Sequence, residues 1–140
     1  MDKVLNKSKN SVLQMKDLYF SLLEFDQTKK IGGEEISGLT VNYHIEIKGK
    51  DNDPVSREII FSVALGNAEK TINAKVVANG YFSIESDEFT DKEKENIFKY
   101  NAVAIMFPFI RSQISLLTTQ PGITPVMLQP IDVNKLWDKE

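Results

Sequence analysis

A chain of 140 residues is long enough for one domain with a core of its own, and the complete lack of cysteine excludes disulfides, thiol nucleophiles and cysteine-ligated metals together. Hydrophobic content of 41% and charged content of 26% are those of a globular protein, while a net charge of −3 with no basic cluster beyond Lys29-Lys30 argues against nucleic acid as a partner. No apolar run reaches bilayer length and the N-terminus has no apolar signal core, so neither membrane insertion nor secretion is expected, and a cytoplasmic location is.

Residues 1–10 are polar and read as disordered. Val12 to Phe25 suggests a strand, with Leu18, Phe20 and Leu22 on one face and Tyr19, Leu23 and Phe25 on the other. Such a strand is either covered on both faces or carries a bulge. A loop follows from Asp26 to Gly38. Leu39 to Lys48 alternates apolar and polar residues without an error, which predicts a strand with one packed and one wet face. After a turn at Gly49–Pro54, Val55 to Leu65 reads as a third strand, with Ile59, Phe61, Val63 and Leu65 on one face. A fourth runs from Lys70 to Ala78, where Asn79-Gly80 reads as a hairpin turn or as a bulge or bend before Tyr81–Ile84.

Thr90-Asp91-Lys92-Glu93 forms a capping box and predicts a helix from Asp91 to Thr118. Pro108 inside it removes a hydrogen bond at a cost of about 3 kcal/mol, which predicts a kink. From Ala102 to Ile110 the helix is apolar all round apart from that proline, so it must be covered on more than one face, a second chain being one candidate. The Pro-rich segment Pro121–Pro130 precedes a short last helix, capped by Asp132 and reaching Leu136 and Trp137. Strands followed by helices predict an α+β fold: a four-stranded antiparallel sheet with the long kinked helix and the short C-terminal helix on one face.

Chemistry is sparse. The single histidine, His44, lies on the polar side of its strand and reads as solvated. Gly32-Gly33 lacks a phosphate-loop pattern, and the acidic pairs Glu34-Glu35 and Asp51/Asp53 lack calcium-loop spacing. The acidic residues around Thr90 suit a helix N-terminus. No catalytic set, metal or cofactor is expected. What remains is apolar: Met15, Met106, Met127, eight phenylalanines and a Val126–Leu128 loop among prolines, which serve either core and interface or a binding surface that repacks around varied partners.

Four motifs in order carry a resemblance. Met15-Lys16-Asp17-Leu18-Tyr19-Phe20 resembles the first-strand motif of the SecB family of protein-export chaperones. Asn79-Gly80-Tyr81-Phe82 resembles the end of that family's fourth strand, and Phe107-Pro108-Phe109-Ile110-Arg111-Ser112 its Phe-Pro-Tyr-Ala-Arg-Glu helix signature. Leu128-Gln129-Pro130-Ile131-Asp132-Val133 resembles its Leu-Ala-Pro-Val-Asn-Phe, with Leu136-Trp137 in place of Leu-Phe. The resemblance spans most of the chain. It implies an ATP-independent holdase that binds unfolded polypeptide in apolar grooves, assembled as a dimer of dimers through the long helix. By position it places Ile36, Leu39, Val41, Tyr43, Val126, Met127, Leu128 and Trp137 in the groove, and Val103, Met106, Phe107, Ile110 and Ile114 at the oligomer interface. The family's acidic patch for the SecA ATPase is matched by Asp17, but Ser21 and Lys75 stand at its other acidic positions and Asn73 at an apolar one. A cation there repels a cationic partner, so SecA is a weakened candidate. The Asp26–Gly38 loop also lacks the family's aromatic residues. Three functions stand: a holdase serving export, a chaperone of one dedicated client such as an antitoxin, or an adaptor that keeps the fold without the groove.

Overall fold

The computed structural model describes residues 12–28, 38–50 and 52–138, so the N-terminal stretch 1–10, most of the crossover loop including Ile36, and Asp51 lie outside it. Four antiparallel strands, β1 (Leu13–Gln27), β2 (Thr40–Lys48), β3 (Ser56–Gly66) and β4 (Ile72–Ile84), form one sheet in the order β1-β4-β3-β2. Strands β3 and β4 are central, and the alternation in each sends one set of side chains to the same face. Ile59, Phe61, Val63 and Leu65 from β3 join Ile72, Ala74, Val76, Ala78, Phe82 and Ile84 from β4, none more than 4% exposed.

The mixed pattern of β1 is resolved by two bulges, between Met15 and Asp17 and between Phe20 and Leu22. Partners in register share a face. Leu13 and Met15 therefore lie on the core side opposite Ile84 and Phe82, Leu18 and Phe20 opposite Gly80 and Ala78, and Leu23 and Phe25 opposite Val76 and Ala74. Each bulge changes the parity, so apolar residues at odd, then even, then odd positions all reach one side.

Strand β4 does not stop at Asn79-Gly80. It runs on to Ile84 in ladder pairing on both sides, with neither a hairpin nor a bend there, and the bulges expected of it lie in its neighbour β1. The glycine answers to packing. A Cβ on Gly80 would lie 2.7 Å from Cε1 of Phe82 and 3.0 Å from Sδ of Met106, because the helix descends onto the sheet at this point.

That helix begins as the capping box requires. The Thr90 hydroxyl accepts from the Glu93 amide (3.1 Å) and the Glu93 carboxylate accepts from the Thr90 amide (2.9 Å), starting α1 (Asp91–Asn96). A π-helical turn, Ile97–Ala102, joins it to α2 (Val103–Leu117). Helix α2 continues through Pro108 without interruption, and the departure from α-helical winding falls upstream, in the π-turn. Pro108 and Ala104 are both exposed, so the carbonyl that the proline leaves without an amide partner lies on the solvent side. Arg57 anchors the start of the helix to the sheet, donating through Nε to Glu95 (3.1 Å) and lying over the Phe98 ring at 5.3 Å.

Beyond α2, Thr118 is fully buried. Its hydroxyl donates to the Ile114 carbonyl (2.9 Å) and accepts from the Val126 amide (2.7 Å), pinning the Pro-rich segment to the helix end. Asp132 accepts from the Asn134 amide (3.0 Å) at the start of α3 (Val133–Asp138). The Trp137 indole N–H then donates to the Lys99 carbonyl in the π-turn (2.8 Å). Residues 126–137 thus run back along the helix from its C-terminal end to its beginning.

Candidate functional site

Side-chain burial separates the residues that form the core from those that rim it. Leu39, Val41 and Tyr43 come from the entry and inner face of the edge strand β2; Val126 and Trp137 come from the returning C-terminal segment. All five are partly buried against the same apolar cluster, and Leu128 lies within it at 6% exposure. Tyr43 meets Phe61 and Phe107 edge-on, with ring centroids 6.3 and 6.2 Å apart, and burial pushes its phenol pKa up. Extended backbone sends alternate side chains opposite ways, so Val126 and Leu128 turn inward and Met127 outward, 66% exposed, its sulfur accepting from the Ser115 hydroxyl at 3.3 Å. Leu128 supports the surface from behind and Met127 presents it.

The rim is longer than those positions. Ile47 extends it along β2, and Ile131, Val133 and Leu136 extend it along the C-terminal segment, all partly buried against the core. A cleft of about 690 Å³ opens where β1 ends, lined by Leu23 and Phe25 from β1, Leu65 from β3 and Ala74 from β4, with Glu24 and Lys75 at its polar edge. Period-2 alternation in β2 made Ile47 legible as an inward residue, whereas the β1 contribution depends on the second bulge.

Val103, Met106, Phe107, Ile110 and Ile114, placed by resemblance at an interface between chains, are between 0 and 6% exposed in the single chain and belong to the core under the sheet. Their spacing of three, one, three and four residues is the stripe that one helix face turns to its own sheet. The apolar residues that α2 leaves in solvent are others: Ile105 at 39%, Phe109 at 45% and Leu116 at 66%.

The opposite face of the sheet carries a polar network. Ser21, set by the second bulge, donates through its hydroxyl to Asn79 Oδ1 (2.6 Å), and Asn79 donates through Nδ2 to Glu58 Oε2 (3.1 Å). Hydrogen bonds from Asn79 and then Tyr81 hold the Glu58 carboxyl below the usual carboxylate range. Reciprocally, the bond to Glu58, and after it one to Tyr19, push the Tyr81 phenol up to about 12. The Tyr19 and Tyr81 rings stack with centroids 6.4 Å apart. Asp17 pairs in register with Tyr81, and Lys75 with Glu24. Ser21, read as a lost acidic position, is therefore the first link of an internal chain of hydrogen bonds. The chain that continues from it through Asn79 to Glu58 and Tyr81 is not legible in the sequence, since three strands must align to bring these residues together. On the same face His44 Nε2 lies 3.6 Å from Glu46, and among the described residues no group of three or more histidine, aspartate or glutamate side chains gathers to hold a metal.

Residues 6–140 match the family model described as preprotein translocase subunit SecB. An uncharacterized protein of Methanocaldococcus jannaschii is 33% identical over 99 residues, covering 68% of this chain and 63% of its own length. The protein-export protein SecB of Anaplasma phagocytophilum is 39% identical over 62 residues, covering 44% of this chain and 39% of its own. The match thus spans less than two thirds of either relative. In fold, the chain resembles a Mycobacterium tuberculosis SecB-like chaperone solved in complex with a ChAD peptide from an antitoxin, with a TM-score of 0.69 at 13% identity, covering 94% of this chain and 98% of that one.

Proposed function

The chain belongs to the SecB family, and from that premise we propose that it is an ATP-independent holdase, which binds extended stretches of non-native polypeptide and keeps them from aggregating. The observation that carries this is the partly buried apolar rim along β2 and the C-terminal segment, with Met127 standing out of it at 66% exposure. A rim of aliphatic, aromatic and thioether side chains gains about 1.5–3 kcal/mol for each large apolar client side chain it covers, without demanding a sequence. Several shallow contacts along an extended segment provide useful affinity while each remains reversible. The client surface comprises Leu39, Val41, Tyr43, Val126, Met127 and Trp137, with Ile36 from the crossover loop and Leu128 as backing.

The test is light scattering from a chemically denatured client diluted into buffer with the chaperone at equal concentration. Wild type should suppress aggregation, and Met127→Ser combined with Leu39→Ser should raise the amount needed by well over tenfold at unchanged particle size. No protection by wild type refutes the holdase and leaves the adaptor. Assembly into a dimer of dimers uses the Ile105, Phe109 and Leu116 stripe. Phe109→Asp should shrink the particle on sizing, and an unchanged mass excludes that stripe.

Of the two client routes, delivery to the export machinery and service to one dedicated client, the outer face favours the second. Lys75 and Ser21 stand where the family's acidic positions fall, and Ser21 is committed to Asn79. Tight, salt-sensitive binding of SecA in a pull-down would refute that preference. Either route places the protein in the cytoplasm.

A further inference from the structure

We infer that Met127 is an oxidative modification site, at which conversion of the thioether to the sulfoxide weakens client binding; the functional half of this inference rests on the holdase reading. A chain without cysteine offers oxidants its methionines first. Among those in the described residues, Met106 is fully buried, Met15 is 40% exposed and Met127 is 66% exposed.

Exposure is not the only distinction. Val126 is tied to Thr118 on one side of Met127 and Leu128 is buried on the other, so the backbone holds the sulfur outward instead of letting it fold into the core. The Ser115 hydroxyl, 3.3 Å away, fixes its position over the end of α2.

The co-reactant is a hydroperoxide. A sulfur lone pair attacks the terminal peroxide oxygen, the O–O bond breaks and the S–O bond forms. With hydrogen peroxide, proton transfer lets the other oxygen leave as water; sulfur gives up two electrons and the peroxide takes them. The product is polar and a much better acceptor than a thioether, and the Ser115 hydroxyl is already placed to donate to its oxygen. An apolar group on the client rim becomes a hydrogen-bonded dipole.

Graded hydrogen peroxide on the full chain, followed by peptide mass mapping and the aggregation assay, tests this. Met127 should gain oxygen first, Met15 next and Met106 last. At stoichiometric Met127 oxidation the chaperone needed for half-protection should rise about tenfold, as expected from the loss of one methionine side chain's apolar contact. Methionine sulfoxide reductase should reverse the loss. Met15→Leu should retain the full peroxide sensitivity, and Met127→Leu should lose no further protection relative to its own untreated level. Earlier oxidation of Met15 or Met106, or complete Met127 oxidation with protection unchanged, overturns the inference. If the untreated chain protects no client, the holdase reading and the functional half fall together, while the oxidation order still decides the site.

Discussion

Gly80→Ala should destabilise the fold although alanine is ordinarily the better residue in a strand. The new methyl carbon would stand 2.7 Å from Phe82 Cε1, 3.0 Å from Met106 Sδ and 3.1 Å from Met106 Cε. Neither neighbour has room to retreat, Phe82 being 1% exposed and Met106 fully buried between sheet and helix. Overpacking a filled core costs about 1–3 kcal/mol. Restricting the unfolded chain by removing a glycine offsets about 0.4–1 kcal/mol of that, leaving a net loss of about 1–2 kcal/mol. Urea unfolding followed by circular dichroism should show the midpoint falling by about 0.5–1 M at constant slope. The decisive control is a double-mutant cycle. Met106→Ala alone costs about 2–5 kcal/mol, but in its background Gly80→Ala should cost less, because two of the three close atoms are gone. A Gly80→Ala protein as stable as wild type, or a penalty undiminished by Met106→Ala, refutes the close approach as the reason for glycine.

Thr90→Ala removes one arm of the capping box and should lower stability by about 1 kcal/mol in the same urea assay. Trp137→Phe keeps an aromatic ring but loses the N–H bond to the Lys99 carbonyl; amides of residues 133–138 should exchange faster with deuterium, and an unchanged rate would show that the bond does not hold α3 in place. The Tyr81 phenol lies above the ordinary tyrosine value, so whatever stability its bonds to Glu58 and Tyr19 confer is fully present below about pH 10 and is lost as pH rises through about 12. In an ultraviolet titration, Tyr81→Phe should remove a late-ionising tyrosine. Persistence of the full late component would refute the assignment, Tyr43 accounting for only the part raised by burial.

The strongest local signals in the sequence became the most faithful structure. The alternation of Leu39 to Lys48 is a statement about two faces of one strand, and β2 follows it without a register shift. The capping box states which hydroxyl and which carboxylate satisfy the first free amides of a helix, and both bonds form. The order of strands and helices was enough for the α+β architecture. Asn79-Gly80 misled because the dipeptide is compatible with several backbones, and the selecting force is Met106, far away in sequence.

Which apolar residues stay exposed was beyond local reading for one physical reason. A helix that is apolar all round, such as Ala102–Ile110, contains no periodicity to say which residues meet the sheet, and no pattern distinguishes Ile110, fully buried, from Phe109, 45% exposed. Likewise Val126, Met127 and Leu128 are comparable in hydropathy, and only the pinning of Val126 by Thr118 turns Leu128 inward and Met127 out. Sequence by itself determined the order of strands and helices and left the apolar helix and loop open between core, interface and binding surface. Tertiary structure decided which part stays outside, because helix phase and loop direction are fixed by contacts between segments distant along the chain.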